Sequence, residues 1–304
     1  MTTRPVAGAQ TAVKIADLLA AGPTLSFEFF PPKTDEAERQ LEKTIHELAP
    51  LGPSFVSVTC GAFGQAHDRT RDVVIQVNRE QPFPAMAHLT CVGHTRADIA
   101  RLLDEYAGAG VRNILALAGD PPADGSEPGG DFRYAIELVE LVRAHPAGFS
   151  IGVAAHPELH PRSQDRDDDR HHLARKLEVA DFGITQFFFE PADYLRMVDE
   201  LDARGCTTPV LPGIMPPGVT GVAPLIRMAT MNGSAVPATV VERLEPVADD
   251  PAARLEIAVE VATDLCRRLI DAGAPGLHLY ALNRSAAALR IVANLGLHPV
   301  DDTA

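Results

Sequence analysis

The chain alternates between short apolar runs, each bounded by glycine or proline, and longer stretches in which apolar residues recur at helical spacing. Short apolar runs between turn residues are typical of buried strands, and helical spacing is typical of amphipathic helices. The pattern predicts strands at residues 25–29, 55–59, 85–90, 113–117, 149–154, 184–189, 209–214 and 277–282. It predicts helices at residues 11–20, 34–48, 70–78, 95–107, 132–143, 167–179, 192–203, 222–231, 236–244, 251–272 and 285–295.

Strand and helix alternate about eight times along the chain, which predicts parallel βα units. In a chain of 304 residues, eight such units favour a closed (β/α)8 TIM barrel over an open doubly wound sheet. No internal repeat and no linker-like stretch divides the sequence. We therefore predict an α/β fold with a single domain over residues 1–304, preceded by a short flexible lead-in at about residues 1–10.

The first predicted strand carries one carboxylate, Glu28, inside the apolar segment LSFEFFPP. Alternation places Phe27 and Phe29 on one face of the strand, and Ser26, Glu28 and Phe30 on the other. A carboxyl group that is buried without a partner has a raised pKa, so it can serve as a proton donor. A glutamate at a strand end can equally well hydrogen-bond a neighbouring turn. The strand alone leaves both interpretations open.

Polar residues recur at the carboxyl ends of the other predicted strands, where the catalytic groups of parallel barrels lie. Taken singly, His88 also suits a hydrogen-bonded core histidine, Gln186 a contact to the backbone, and Asp120 a turn before two prolines. Taken together, these ends predict a functional site at one mouth of the barrel. The polar residues at these ends are Glu28, Thr59, His88, Asp120, His156, Gln186 and Tyr280, with Arg284 just beyond.

Composition and charge narrow the class of protein. The chain is 46% hydrophobic and 22% charged, as soluble globular proteins are. Its net charge of −14 argues against a nucleic-acid partner, whose phosphates it would repel. The four cysteines are isolated, which is typical of reduced thiols. No signal peptide and no membrane-spanning apolar run are present, so we predict a cytoplasmic protein without a membrane partner.

Several familiar site motifs are missing from the sequence. The first strand is not followed by G-x-G-x-x-G, and there is no P-loop, so a Rossmann nucleotide site is not predicted. His156 and His160 have a spacing typical of metal ligands, but Pro157 and Pro161 interrupt any helix there. The acidic run at residues 165–169 indicates a solvated helix start rather than a calcium loop. No metal site is predicted.

Seven segments at the ends of successive predicted strands identify a family. In chain order they read SFEFFPPKT, FVSVTCGA, AHLTC, NILALAGDPP, VAAHPELHP, ITQFFFE and LHLYALNR. Together they resemble methylenetetrahydrofolate reductase, in the catalytic-domain form found in bacteria. The resemblance covers about residues 12–298.

The resemblance implies a (β/α)8 barrel with FAD at its mouth. NADH or NADPH would supply the electrons, and 5,10-methylenetetrahydrofolate would be reduced to 5-methyltetrahydrofolate for methionine synthesis. Glu28 matches the family's general acid, with a pKa that its apolar neighbours would raise. Asp120 matches the carboxylate beside flavin and folate, Gln186 a pterin-binding amide, and Tyr280 and Arg284 folate contacts.

The resemblance also implies the positions that contact the cofactor. These are Thr59, His88, Leu117, Ala118, Gly119, Asp120, Tyr134, Ala135, His156, Asp169, His172 and Lys176. Two of them depart from the family pattern. Ala118 replaces a usual arginine, so one phosphate-binding charge is missing, and His156 replaces a usual aromatic residue.

Three alternatives remain open at this point. Some relatives transfer hydride directly from NADH to the folate without flavin, and a barrel reductase could act on another pterin with a deazaflavin. A barrel that only binds folate or a protein partner is the non-enzyme alternative. A homo-oligomer is expected because exposed barrel helices often pair.

Overall fold

The computed structural model describes residues 13–60, 65–119 and 129–297, with the backbone alone at residues 65–67. Asp120 and the predicted lead-in at residues 1–10 lie outside the described residues. Nine strands form one sheet in which every pair of neighbours is parallel. The strands are β1 Thr24–Phe29, β2 Phe55–Val58, β3 Ala85–Thr90, β4 Asn113–Leu117, β5 Ser150–Ala155, β6 Phe182–Thr185, β7 Val210–Leu211, β8 Gly213–Ile214 and β9 Gly276–Tyr280.

The two shortest strands, β7 and β8, are the two halves of one interrupted barrel strand. β7 pairs with β6 through Val210 and Leu211, and β8 pairs with β9 through Gly213 and Ile214. Pro212 separates the halves because proline has no N–H for a ladder bond, yet its carbonyl still accepts a hydrogen bond from the His278 amide at 3.0 Å. With β7 and β8 counted as one strand, eight strands therefore close into a ring, and the predicted (β/α)8 barrel is confirmed.

Helices surround the ring of strands. The helices are α1 Ile15–Ala21, α2 Asp35–Leu48, α3 Gln65–Glu80, α4 Arg96–Gly108, α5 Ala135–Ala144, α6 Arg166–Val179, α7 Pro191–Asp202, α8 Val222–Asn232, α9 Ala238–Leu244, α10 Pro251–Asp271 and α11 Ser285–Leu295. Thr34 caps α2, and Thr95 with Asp98 forms a capping box on α4, so both predicted helix starts are confirmed. Residues 49–51 and 245–247 form short 3₁₀ turns.

The core has two main layers. The larger lies between strands and helices and contains Phe27 and Phe29, which alternation predicted to share one face of β1. The smaller fills the barrel interior with Phe55, Met86, Leu115, Phe182, Ile184 and Leu211, and the α1 residue Ile15 joins it. Toward the carboxyl ends of the strands, the buried side chains include the polar residues Glu28 and His88.

Helix α1 closes the opposite end of the barrel. Its Ile15 amide donates to Asn113 Oδ1 at 2.8 Å, and Asn113 Nδ2 donates to the Val13 carbonyl at 3.0 Å. The Ala16 amide donates to Ser150 Oγ at 3.1 Å. The first helix is thus held by interior polar side chains of β4 and β5, because free N–H groups at a helix start need acceptors.

The sixth strand is shorter than predicted. It ends at Thr185, whereas the sequence pattern placed residues 184–189 in it. Gln186 Oε1 accepts a hydrogen bond from the Phe187 amide at 2.9 Å, which turns the chain. Phe187 then packs with Phe189 under α8 and α9, while Phe188 stacks on Tyr194 in the main core. The apolar run continues past the strand because it serves two different cores.

The described residues contain no helix that is both long and apolar enough to cross a membrane. The four cysteines, all within the described residues, form no disulfide bond.

Candidate active site

Glu28 lies on the inward face near the end of β1. Its neighbours in register are Ser57 on β2 and Tyr280 on β9. The residue is only 7% exposed, so its carboxylate needs partners to remain charged.

Three side chains converge on one oxygen of Glu28. Ser57 Oγ donates to Oε2 at 3.3 Å, and His278 Nε2 lies 3.2 Å from the same oxygen. His88 Nε2 lies 3.3 Å away in ion-pair contact, without the geometry of a hydrogen bond. Within the described part of the chain, Oε1 makes no hydrogen bond. One carboxylate oxygen is therefore tied to the protein, and the other remains available to a ligand.

The predicted pKa of Glu28 is wrong in direction. Burial raises this pKa, but the charge of His88 and the hydrogen bond from His278 lower it by more than burial raises it. The resulting pKa is about 2. The expectation considered only the apolar neighbours along the strand. Two histidines from β3 and β9 outweigh them, because an adjacent positive charge favours the ionised carboxylate.

His278 is a site residue that the sequence analysis did not single out. It is fully buried, its Nδ1 lies 2.8 Å from Ser26 Oγ, and its ring stacks on Phe55 at 5.9 Å between centroids. A signal was present, since alternation along β9 places His278 and Tyr280 on the same face. Its pairing with Glu28 was invisible because the two residues are far apart in sequence.

Tyr280 and Gln186 occupy the side of the mouth near β6. The Tyr280 hydroxyl donates to the Thr185 carbonyl at 2.8 Å, next to Gln186. Burial raises the pKa of Tyr280 well above its ordinary value, with the Glu28 charge adding to the effect. Gly213 makes this contact possible, because a Cβ there would lie 2.3 Å from the Thr185 carbonyl and 2.7 Å from the Tyr280 hydroxyl.

The loop between β9 and α11 is fastened to the loop after β1. Asn283 Oδ1 accepts from the Phe30 amide and Asn283 Nδ2 donates to the Phe30 carbonyl, both at 2.9 Å. Leu282 and Asn283 have φ values of 52° and 53°, which side chains other than glycine and asparagine seldom adopt. Arg284 follows, exposed at the rim. This fastening fixes the chain two residues after Glu28 relative to Arg284.

Asn283→Ala is expected to destabilise the fold by about 2–3 kcal/mol, since it removes two hydrogen bonds and leaves alanine in the left-handed region. Asn283→Gly removes the same bonds but tolerates the backbone, so it is expected to be about 1 kcal/mol less destabilising than alanine. Urea unfolding of both variants measures the difference. Equal stability of the two would contradict a cost from the backbone conformation.

The loop after β5 brings together two histidines and a lysine. The rings of His156 and His160 meet edge to face, 4.5 Å apart. Burial lowers the pKa of His156 to about 3 and also lowers that of His160. Lys176 Nζ donates to the Ala154 carbonyl at 3.0 Å, and burial lowers its pKa. This side of the mouth therefore holds two imidazoles that burial disfavours in the charged form, beside the Lys176 side chain.

A fully buried arginine, Arg170, holds the loop after β5 in place through hydrogen bonds. Arg170 donates to three successive carbonyls, those of His156 at 3.1 Å, Pro157 at 2.7 Å and Glu158 at 3.3 Å. Such a set of charge-assisted bonds fixes the path of the loop. The residue was not singled out from the sequence, because a charge next to an acidic run resembles a solvated helix face.

Two carboxylates neutralise Arg170. Its Nε donates to Glu200 Oε2 at 2.7 Å, and its Nη1 donates to Asp169 Oδ2. Asp169 Oδ1 accepts from the His160 amide at 3.2 Å and from Ser163 Oγ at 2.8 Å. Asp169 is buried, so the acidic run is only partly the solvated helix start that the sequence indicated. Asp169 has a structural role here, and its cofactor contact stays a prediction.

The remaining predicted cofactor positions differ in their surroundings. Thr59, Leu117, Ala118 and Gly119 follow the ends of β2 and β4 and are half-buried at the mouth. Tyr134 is 66% exposed and precedes Ala135 at the start of α5. His172 lies on the exposed side of α6, with its Nε2 3.3 Å from Asp168 Oδ1. His172 therefore pairs with a surface carboxylate away from the barrel interior.

Fold and site together define a (β/α)8-barrel enzyme with a buried, hydrogen-bonded carboxylate at its mouth. The family model for methylenetetrahydrofolate reductase matches residues 14–296. The 5,10-methylenetetrahydrofolate reductase of Pectobacterium carotovorum subsp. carotovorum is 36% identical over 276 residues, which span 90% of this chain and 91% of that protein. That of Escherichia coli (strain K12) is 35% identical over the same spans. The chain belongs to the methylenetetrahydrofolate reductase family, which confirms the predicted family and its oxidoreductase class.

Other similarities agree with this assignment. Methylenetetrahydrofolate reductase (NADH) 1 of Zea mays is 32% identical over 299 residues, which span 93% of this chain and 50% of the plant protein. Among solved structures, a Clostridium thermocellum protein that binds two copies of 5-methyl-5,6,7,8-tetrahydrofolic acid has a TM-score of 0.61 at 13% identity. The alignment covers 92% of this chain and 98% of that one, and it shows the shared fold.

Proposed function

We propose that this mouth reduces 5,10-methylenetetrahydrofolate to 5-methyltetrahydrofolate with electrons from NAD(P)H, and that Glu28 is the proton donor. The observation that carries the proposal is a buried carboxyl group with one oxygen held by the protein and the other without a hydrogen bond from any described residue. The five-membered ring of the substrate must open before its methylene carbon accepts hydride. Opening requires a proton on the leaving nitrogen, which a positioned carboxyl group supplies.

The other predicted side chains surround this carboxyl group with functions that suit a folate. Among the described residues the amide N–H₂ group of Gln186 makes no hydrogen bond, while its Oε1 accepts from the backbone, and amides pair with pterin edges. Arg284 is exposed at the rim, where its guanidinium can bind the carboxylates of the folate tail. Asp120 is proposed to stabilise the cation that forms on ring opening; it lies outside the described residues.

The mouth fits FAD at several predicted positions. His88 Nε2 is buried and makes no hydrogen bond within the described residues, so a polar group of a ligand would satisfy it. The other positions proposed to hold it are Thr59, Leu117, Ala118, Gly119, Asp120, Tyr134, Ala135, His156, Asp169, His172 and Lys176. When bound, FAD carries the hydride from NAD(P)H to the folate. Lys176 is the cation that this set offers to a diphosphate, since Ala118 has no charge.

Purified protein is expected to be yellow, with a visible flavin absorbance band that NADH bleaches in the absence of oxygen. The same preparation is expected to convert methylenetetrahydrofolate to methyltetrahydrofolate at the expense of NADH. A colourless protein that still oxidises NADH with this substrate would contradict the FAD proposal and leave the reaction intact. A protein that turns over only with reduced deazaflavin would contradict the reaction itself.

Three further features stay predictions. They are the supply of methyl groups for methionine synthesis, the assembly into a homo-oligomer, and the cytoplasmic location. The family membership and the exposed helices around the barrel support the first two.

A further inference from the structure

His278 lies at the centre of the mouth, and the proposed function gives it no role. Its Nδ1 is 2.8 Å from Ser26 Oγ, and its Nε2 is 3.2 Å from Glu28 Oε2. The ring is fully buried and stacks on Phe55. Because it cannot turn without losing both contacts, each nitrogen faces a fixed partner.

The surroundings of Ser26 indicate which nitrogen carries the permanent proton. Ser26 Oγ also lies 3.2 Å from the Leu277 carbonyl, which can only accept a hydrogen bond. A hydroxyl has one proton, so both contacts are satisfied when Ser26 donates to Leu277 and accepts from Nδ1–H of His278. Nε2 is then the nitrogen that gains or loses a proton, and it faces Glu28.

We propose that His278 is a positioning residue that holds the proton Glu28 must deliver. This inference rests on the proposed function. In this proposal one proton lies between Nε2 of His278 and Oε2 of Glu28, which are 3.2 Å apart, and the lowered pKa of Glu28 leaves its carboxyl group ionised before substrate binds. During the reaction the Nε2–H bond breaks and an Oε2–H bond forms, leaving a neutral imidazole and a neutral carboxyl group. The neutral carboxyl group then turns about its Cγ–Cδ bond, which brings this proton to the ligand side. It protonates the leaving nitrogen as the bond of that nitrogen to the methylene carbon breaks, and solvent later returns a proton to His278.

Binding of the substrate supplies the reason for the transfer. A buried imidazolium–carboxylate pair costs desolvation of two ions, whereas a neutral hydrogen-bonded pair costs much less. Glu28 is 7% exposed, so the pair retains some access to water. A folate that covers the mouth removes this water and favours the neutral pair, which is the form that can act as an acid.

Few other charged groups face the pair among the described residues. His88 on β3 contacts Glu28 Oε2, and Tyr280 on β9 is an uncharged phenol whose proton bonds to the Thr185 carbonyl. Ser57 on β2 contributes a hydroxyl. The inward residues of β4, β6 and β8 next to this level are Leu115, Ile184 and Gly213, which carry no charge.

His278→Gln tests the inference, because its amide can donate to Oε2 but cannot release a proton. The pKa of the Glu28 carboxyl group is expected to rise by about one unit or more, since burial then meets less opposition. Carbon-13 NMR of the folate-free protein measures it, with Glu28→Gln assigning the signal. The alkaline limit of the kcat profile is expected to move to lower pH by about one unit, because a lone carboxyl group loses its proton earlier than the pair.

Two further variants keep the test decisive. His46→Gln removes an exposed imidazole on α2 and is the matched control, for which no shift of either quantity is expected. Ser26→Ala removes the acceptor of Nδ1–H without changing the ring, and a smaller shift in the same directions is expected. This variant serves if His278→Gln does not fold.

An unchanged Glu28 titration in both His278→Gln and Ser26→Ala would overturn the inference, as would a kcat that falls by the same factor at every pH. A wild-type protein that does not reduce methylenetetrahydrofolate at any pH would instead contradict the proposed function. The NMR titration still reports on the proton between His278 and Glu28 in that case, so the two failures are distinguishable.

Discussion

Glu28→Gln is expected to lose turnover by about 10²- to 10⁴-fold, the usual range for removal of a general acid. Glutamine has nearly the same size as glutamate and can still accept from Ser57 Oγ, but an amide cannot protonate the leaving nitrogen. Folate binding is expected to change little, because the rest of the mouth remains. The measurements are kcat with methylenetetrahydrofolate and the dissociation constant of the folate product by fluorescence quenching.

The matched control is Glu140→Gln, which neutralises an exposed glutamate on α5. It is expected to retain wild-type kcat. Full turnover by Glu28→Gln would refute the assignment of Glu28 as proton donor and favour a barrel that binds folate through other groups. Loss of folate binding together with turnover would instead make Glu28 a binding residue.

Arg170→Met is expected to lower the free energy of unfolding by about 3–5 kcal/mol, as breaking a buried ion pair usually does. Methionine fills a similar volume but leaves Asp169 without its ion pair and three carbonyls of the β5 loop without donors. The measurement is the midpoint of urea unfolding with an unchanged slope.

Arg175→Met is its matched control on the same helix, since Arg175 is exposed. A change within about 0.5 kcal/mol is expected there. Equal stability of the two variants would show that the loop after β5 keeps its path without the arginine. A selective loss in Arg170→Met would show that the positions of His156 and His160 depend on a residue that contacts neither the predicted folate nor the predicted cofactor.

The sequence was most informative where structure depends on neighbours along the chain. β3, β4 and α11 have the predicted bounds because turn residues delimit them and their apolar patterns are local. β6 was predicted too long because three phenylalanines continue the apolar run into a second core. A run of apolar residues predicts that a segment is buried, but it does not show in which core each side chain is buried.

The chemistry of the site depended on contacts across the barrel. Glu28 was a candidate site residue from the pattern of its own strand. The direction of its pKa shift, however, comes from His88 and His278, which belong to other strands. Arg170 was missed for the same reason, since apart from its neighbour Asp169 its partners lie in the loop after β5 and on α7. These groups form only when the barrel closes. The role of each residue in them therefore cannot be predicted from the sequence of a single strand.

The interruption of a barrel strand at Pro212 leaves the sheet with little backbone pairing at that point. Each half pairs with its neighbour over only two residues, so fewer backbone bonds join the barrel there than elsewhere. Two side-chain bonds cross the same boundary, from the Gly213 amide to Thr185 Oγ1 and from the Tyr280 hydroxyl to the Thr185 carbonyl, both at 2.8 Å. Tyr280 is also a predicted folate contact. Any ligand that binds Tyr280 only in the closed ring therefore suppresses local opening at this seam, which couples occupancy of the mouth to the mechanical integrity of the barrel.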